Sequence, residues 1–343
     1  MTRRGWFLFC ALSLIWGLPY LLIRVSVREV SPGFLVFVRT AGGALLLAPL
    51  VLRENRSRAG GPGGPAWRSL ARHWKPLVVY TAVEIGAPWW LLFDAEKKVT
   101  SSLAGLLVAA VPIAGALIAR VAGTDHLDRR RLAGLGLGIV GVASLVGFDV
   151  GGSDWLAASS FLVVVAGYAL GPWILGRHLS DLPGVSVVAA SLALCALAYT
   201  PFAVLQWPAR PVSAGAVWSM AGLTVLCTAV AFTTMFALVG EVGAMRATVV
   251  TYLNPAVAVV LGVSVLGEHF GPASAVGFLL VLAGSFLATR PLRSGAPPLS
   301  TVEGRLVGAE AVEVPGGRGS VCLDGAVGEA GPVGAGGTVS HLD

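Results

Sequence analysis

Ten stretches of about 20 predominantly apolar residues run through this chain, at roughly 5–23, 33–52, 76–93, 100–119, 132–148, 155–174, 185–205, 216–238, 247–266 and 273–289. A helix of that length spans the hydrocarbon core of a bilayer. Within lipid every backbone N–H and C=O needs an internal partner, which restricts the chain to helices or a closed barrel. The runs are too long and continuous for barrel strands, which alternate over about ten residues. The expected fold is therefore all-α integral membrane, with ten transmembrane helices. Only 12% of the 343 residues are charged, against about a quarter in soluble domains. Arg3 and Arg4 before the first run resemble the start of a signal peptide. That run lacks a small-x-small cleavage site, so it reads as a retained first helix.

The formal net charge of +6 could mean nucleic acid, but the positions of the charges give another reason. With the N-terminus in the cytoplasm, sixteen Lys and Arg fall on the cytoplasmic side, among them Arg53, Arg56, Arg129 to Arg131 and Arg177. Five fall outside: Arg24, Arg28, Lys97, Lys98 and Arg210. This bias places both termini in the cytoplasm and needs no nucleic acid. The four cysteines show no metal-ligand or disulfide spacing. The connection 53–75 has a Gly/Pro half and a "WRSLARHW" half that reads as interfacial, with Trp67 and Trp74 at headgroup depth. Residues 294–343, rich in Gly, Pro, Val and Ala, read as a disordered cytoplasmic tail.

Two of the runs share a plan. "VPIAGALIARVAGTDH" carries Pro112 and closes on Asp125-His126; "NPAVAVVLGVSVLGEH" carries Pro255 and closes on Glu268-His269. Pro112 and Pro255 lie 143 positions apart, and the same offset joins Gly134 to Gly277 and Gly141 to Gly284. A weaker echo links "LPYLLIR" at 18–24 to "GPWILGR" at 171–177. The echoes pair the first span with the sixth, the fourth with the ninth and the fifth with the tenth. A five-helix unit re-enters the membrane inverted, and inverted repeats are a common plan of secondary transporters. The expected division is 1–149 for the first repeat, 150–293 for the second and 294–343 for the tail.

Several of these residues carry a family resemblance: Trp16-Gly17 in the first run, Ser31-Pro32, Phe37 and Arg39 around the second, and Pro255, Gly267-Glu268, Gly277 and Gly284 near the end. In order and spacing they resemble the EamA-type branch of the drug/metabolite transporter superfamily, over roughly residues 5–290. The resemblance implies ten helices in two inverted five-helix repeats, and transport, often export, of small metabolites such as amino acids or toxic organic compounds. Two positions depart. Pro19 stands where a polar residue is common, and Thr124-Asp125 is the first-half counterpart of Gly267-Glu268.

Only two charged side chains lie deep inside the runs, Arg39 and Glu84. Each costs about 2.5–3.5 kcal/mol at a helix centre on insertion scales, so each needs a reason. Their depths differ by about 5 Å. They read as a structural ion pair, or as separate groups: Glu84 for protons or amines, Arg39 for a carboxylate. Pro88 kinks the helix after Glu84 and suits a hinge or cavity wall. Trp89 and Trp90 read first as an aromatic belt, with one ring lining a solute site as the alternative. Trp16, Tyr168 and Tyr252 are candidates to line a cavity, and Asn254 brings a polar amide next to Pro255. Pro112, Pro255 and Glu268 are gate or hinge candidates. Gly134 and Gly138, with Gly277 and Gly284, suggest a tightly packed scaffold away from the site.

No phosphate-cradling G-x-x-x-x-G-K-[ST], H-E-x-x-H or G-x-S-x-G occurs. The expectation is not an enzyme but a secondary active or facilitative transporter of amino-acid-like or drug-like solutes, working as an exporter by alternating access. A flippase-like translocator of lipid-linked or amphiphilic cargo is the alternative, and a membrane-embedded enzyme a weaker one. Cofactors and metals are not expected. The expected partners are a small-molecule solute, protons and the bilayer of the plasma (inner) membrane, with a homodimer left open.

Overall fold

Apolar runs separated by short polar connections become, in a computed structural model, a bundle of helices with no strand among the described residues. The structure describes residues 2–58, 66–123, 128–149, 155–243 and 247–289. In chain order the helices are α1 (Arg3–Ser26), α2 (Pro32–Arg58), α3 (Ala66–Arg72), α4 (Trp74–Ala95), α5 (Ser101–Val121), α6 (Arg129–Asp149), α7 (Trp155–His178), α8 (Gly184–Leu205), α9 (Ala214–Val242), α10 (Val249–Leu266) and α11 (Pro272–Thr289). Nine of them are long and apolar enough, among the described residues, to cross a membrane: all but α3 and α6. The fifth expected span coincides with α6, which is 21 residues long. The short α3 covers the "WRSLARHW" stretch and leaves Trp67 exposed with the Arg68 guanidinium over its ring. The expected tail and the Asp125-His126 pair lie outside the described residues.

Large apolar side chains cover the outside, for example Leu162 and Leu205. In water that surface would be untenable; against lipid tails it costs nothing, and helices must then be held by close packing instead. The closest packing joins α6 to α11. A methyl group on Gly134 would lie 2.7 Å from the Ala288 nitrogen and 2.9 Å from the Gly284 carbonyl oxygen, and one on Gly141 would lie 2.7 Å from the Val281 nitrogen. The two backbones therefore touch along a run of glycines, as the spacing of Gly134, Gly138, Gly277 and Gly284 suggests.

Three prolines mark helix restarts, whereas Pro49, Pro172 and Pro201 lie inside continuous helices. α1 breaks at Leu18 ahead of Pro19, α5 breaks at Ala109-Ala110 ahead of Pro112, and a 3₁₀ turn, Thr248–Tyr252, leads into the α-helical part of α10 ahead of Pro255. In each case the proline sits in the first turn of the new segment, where its missing N–H leaves no bond unmade. Pro88 follows a different solution. The preceding Thr81–Gly86 is π-helical, and the Ala87 N–H reaches back to the Ala82 carbonyl. Widening the turn relieves the clash of a proline ring with the carbonyl four residues earlier. α9 carries a second π-helical segment, Val225–Val230, without a proline. There the Thr228 hydroxyl bonds the Leu223 carbonyl five residues back, at 2.9 Å.

Thr2 bonds Glu241 at the α9 end, which puts the N-terminus and the α9 end on one face, here the N-terminal face; Glu29 bonds Ser213 and Arg24 bonds Glu96, which puts the α1 end, the α9 start and the α4 end on the far face. The largest buried cluster runs through the bundle, from Tyr20, Phe93, Leu103 and Phe161 in the far half to Leu47 and Val188 in the other. Two smaller clusters lie toward the N-terminal face. One joins α1, α9 and α10 through Phe9, Leu12, Leu238 and Val250. The other joins α4, α7 and α8 through Leu77, Tyr80, Ile174 and Val187.

Candidate functional site

Arg39 lies in α2 where the two π-helical segments flank the centre of the bundle, and it is 6% exposed. The π turn in α9 explains how a guanidinium is tolerated there. The Ala231 N–H donates to the carbonyls of Leu226 and Thr228 and skips that of Cys227. Arg39 Nη2 donates to this released carbonyl at 3.3 Å, and Nε donates to the Thr228 hydroxyl at 3.0 Å. The Arg39 guanidinium carbon also sits 3.8 Å from the centre of the Trp89 ring. A desolvated cation–π contact contributes about 2 kcal/mol, and charged hydrogen bonds about 1.5–3 kcal/mol each. Together these offset the cost of the charge without an acid.

The expected ion pair of Arg39 with Glu84 does not form. Arg39 turns to α9 and Trp89, while Glu84 sits in the α4 π segment and packs its carboxyl against Gly171 of α7. Glu84 Oε2 is buried and has no hydrogen-bond partner. A methyl group at 171 would overlap the Glu84 carboxyl where it now lies. The reading of Trp89 as an aromatic-belt residue is also corrected: its ring is 6% exposed and faces inward, whereas its neighbour Trp90 is 37% exposed. Successive helix residues point about 100° apart, so one tryptophan of the pair faces lipid and the other the interior.

Of the other candidates, Tyr168 joins the cluster, next to Trp89 and within electrostatic reach of Arg39 and Glu84. Trp16 packs edge-on against Phe232, 6.5 Å between ring centres, at the α1–α9–α10 cluster. The Tyr252 hydroxyl is engaged with Thr289 of α11 at 2.7 Å. Asn254 lies beside Gly17 at the break of α1, and its buried Oδ1 has no partner. Pro88, Pro112 and Pro255 all sit at helix irregularities. The structure adds Tyr20, Thr228, Tyr199 and Glu96 to the site and its frame. Tyr199 of α8 donates to the Gly86 carbonyl in the α4 π segment at 3.0 Å, so each π segment is met by a donor from a neighbouring helix. Glu96 follows α4 directly and is fully buried. Its setting in the polar stretch "DAEKK" looks like a hydrated loop, so nothing local signals its burial.

Glu268 has a defined job. The α10 helix ends on Gly267, whose φ of +66° is the left-handed conformation that glycine adopts freely. The chain then turns back, and the Glu268 carboxylate accepts the N–H groups of Ser101 and Ser102 at 2.7 and 2.8 Å and the Ser102 hydroxyl at 2.6 Å. It thus caps the N-terminus of α5, where the helix dipole favours an anion. Burial alone would raise its pKa, but the hydrogen bonds from Ser102 and Ser101 outweigh it and hold the carboxyl below the ordinary 4.5. A lowered folded value means that the stabilisation is complete above pH 4.5 and is lost as pH falls through the folded value. Glu268→Gln is expected to cost about 1 kcal/mol and to flatten this acid limb, measured as Tm against pH in detergent. Equal acid limbs in both proteins would remove the cap from the account.

Comparisons with known proteins agree with this architecture. The profile of the EamA-like transporter family matches twice, over residues 3–147 and 155–290. The chain is 28% identical over 267 residues to an uncharacterized inner membrane transporter, YedA, of Escherichia coli (strain K12), covering 75% of this chain and 81% of that one. It is 24% identical over 307 residues to a probable amino-acid metabolite efflux pump of Salmonella typhimurium, covering 84% and 95%. A solved crystal structure superposes with a TM-score of 0.59 at 19% identity, covering 84% of this chain and 97% of that one. A buried, helix-only site in a multi-pass bundle, and a family profile that spans both halves, lead to one conclusion: this chain belongs to the EamA-like transporter family.

Proposed function

We propose that the protein exports small amino-acid-like solutes across the plasma membrane by alternating access. The observation that carries this reading is Arg39: a buried cation, oriented by α9 and Trp89, with no acid paired to it. Such a group is prepared to take a solute carboxylate. Trp89, Tyr20 and Tyr168 supply the walls. Glu84, with one buried oxygen unpartnered, faces the solute amine and exchanges it for a proton. The name of the Salmonella relative, an amino-acid metabolite efflux pump, supports the solute class.

Counted with α6, the spans number ten, in two inverted repeats over 1–149 and 150–293. Four features support this. The family profile matches each half separately. The restarts at Pro112 and Pro255 keep the 143-residue offset. The π segments beginning at Thr81 and Val225 keep nearly the same one, 144. The glycine-lined α6 and α11 pack on each other as equivalent last helices. With the termini in the cytoplasm, as the Lys and Arg distribution favours, the far face is external. The Glu268–Ser102, Glu29–Ser213 and Arg24–Glu96 hydrogen bonds then hold the outer side together. Pro88, Pro112 and Pro255 are the hinges, and Glu268 fastens the closed outer side.

The test uses purified protein in liposomes with an internal pH dye and a panel of amino acids, amines, nucleosides and aromatic drugs. Amino acids are expected to drive proton flux, and Glu84→Gln is expected to lower it at least about tenfold with the fold intact. Silence across the panel from folded protein, in counterflow as well as in proton flux, would count against the reading. Normal proton flux in Glu84→Gln would remove Glu84 from it.

A further inference from the structure

Three hydrogen-bonded seams close the far face. Glu268 caps α5 from the end of α10. Glu29, after α1, accepts the Ser213 N–H at 2.7 Å and its hydroxyl at 2.5 Å at the start of α9. Arg24 of α1 donates to the Glu96 carbonyl at the end of α4. Glu268 and Glu29 both receive N–H and O–H donors, as carboxylates do, and both are held below the usual carboxylate range.

Glu96 is built the opposite way. It is fully buried, and neither carboxyl oxygen has a hydrogen-bond partner. The groups facing it are Arg24 and Tyr20 of α1, Arg39 of α2, Tyr168 of α7 and Glu268. On its own segment Asp94 pairs with Lys97, and Lys98 is exposed. Neither arginine bonds the carboxyl: Arg24 reaches the Glu96 backbone, and Arg39 is held by α9 and Trp89. A buried carboxylate without donors is far more costly than the neutral acid. Burial accordingly pushes the Glu96 carboxyl up, against the opposing pull of Arg24 and Arg39. The sealed face therefore holds the protonated acid. Parting the Arg24 seam admits water, the O–H bond breaks, and the proton passes to water on that side.

Resting on the transport reading above, we propose that Glu96 is a proton-binding site that gates the far face, which seals on the neutral acid and opens on the carboxylate. Proton binding from that side then drives closure after the solute leaves.

The test follows the gate itself and needs no solute. Val99, buried one turn after Glu96, is changed to Cys, with Cys10 and Cys322 changed to Ser and full-length protein held in lipid nanodiscs. Labelling by an impermeant maleimide is measured relative to a Cys placed at exposed Arg210, which corrects for thiol ionisation. The relative rate is expected to rise with pH, with a limiting slope of about tenfold per unit for one proton. Glu96→Gln, a neutral isostere of the protonated acid, is expected to keep the wild-type Tm and stay slow at every pH, and Glu96→Asp to restore the slope. A flat wild-type profile, a Glu96→Gln profile that follows wild type, or a Glu96→Gln protein less stable than wild type at low pH would each overturn the proposal. A gate that responds in a protein that moves no solute would sink the transport reading alone.

Discussion

Arg39→Gln is expected to lower counterflow of carboxylate-bearing amino acids by about 30- to 150-fold, the equivalent of about 2–3 kcal/mol for a charge-assisted hydrogen bond made to the solute. The glutamine amide can still reach the Thr228 hydroxyl or the Cys227 carbonyl, the groups that Arg39 now holds at 3.0 and 3.3 Å, so the fold is expected to survive. Arg39→Lys keeps the charge but loses the planar stack on Trp89 and the two-nitrogen grip on α9. It is expected to fall between wild type and Arg39→Gln. The informative control is a panel of amines without a carboxylate, whose exchange should change little. Equal losses for both solute classes would mean that Arg39 supports the bundle and does not read the solute.

The second large effect concerns the α6–α11 seam. Gly284→Leu is expected to leave no folded protein. Even a methyl group at 284 would lie 2.6 Å from the Gly138 Cα and 2.7 Å from the Gly134 carbonyl oxygen. Overpacking costs about 1–3 kcal/mol when a side chain can move aside. Here the obstacle is backbone, so the helices must separate, and the cost exceeds that range. Gly136 is a matched control on the same helix, because a methyl group there meets nothing within 4 Å. Gly136→Ala is expected to raise stability slightly through helix propensity. Size-exclusion profiles and Tm in detergent separate the two. A monodisperse, wild-type-like Gly284→Leu protein would mean that the seam is not needed to hold the bundle.

Hydropathy alone places nine of the ten expected spans among the described residues, because a helix in lipid needs length and apolarity whatever surrounds it. Pro112 and Pro255 were legible as gate or hinge candidates, since proline acts on its own backbone, but not as restarts: Pro172 and Pro201 lie inside continuous helices. The glycine seam was legible from spacing, since close helix approach needs missing side chains on a shared face. Trp89 shows where such reading fails. Two adjacent tryptophans near a span end look like an interfacial belt, and only the rotation of α4 assigns one to lipid and one to Arg39. Arg39 and Glu84 were singled out by their cost in lipid, yet opposite charge at similar depth suggested a partnership that packing does not make. Glu84 is taken up by Gly171 across the α4–α7 contact, and Arg39 by a carbonyl that exists only because α9 widens by one residue.

What this sequence decided alone is therefore whatever acts within one segment: that the chain is helical and crosses the membrane many times, and which charges are too costly to be incidental. What tertiary structure alone decided is which groups meet. Arg39 finds Thr228, 189 positions away, and Glu268 finds Ser101, 167 positions away. Glu96 loses its water because α1 folds over a loop that looks hydrated in the sequence. The physical reason is range. Backbone propensity and transfer to lipid are summed over neighbours in the chain, whereas desolvation, cation–π contact and hydrogen-bond pairing depend on neighbours in space.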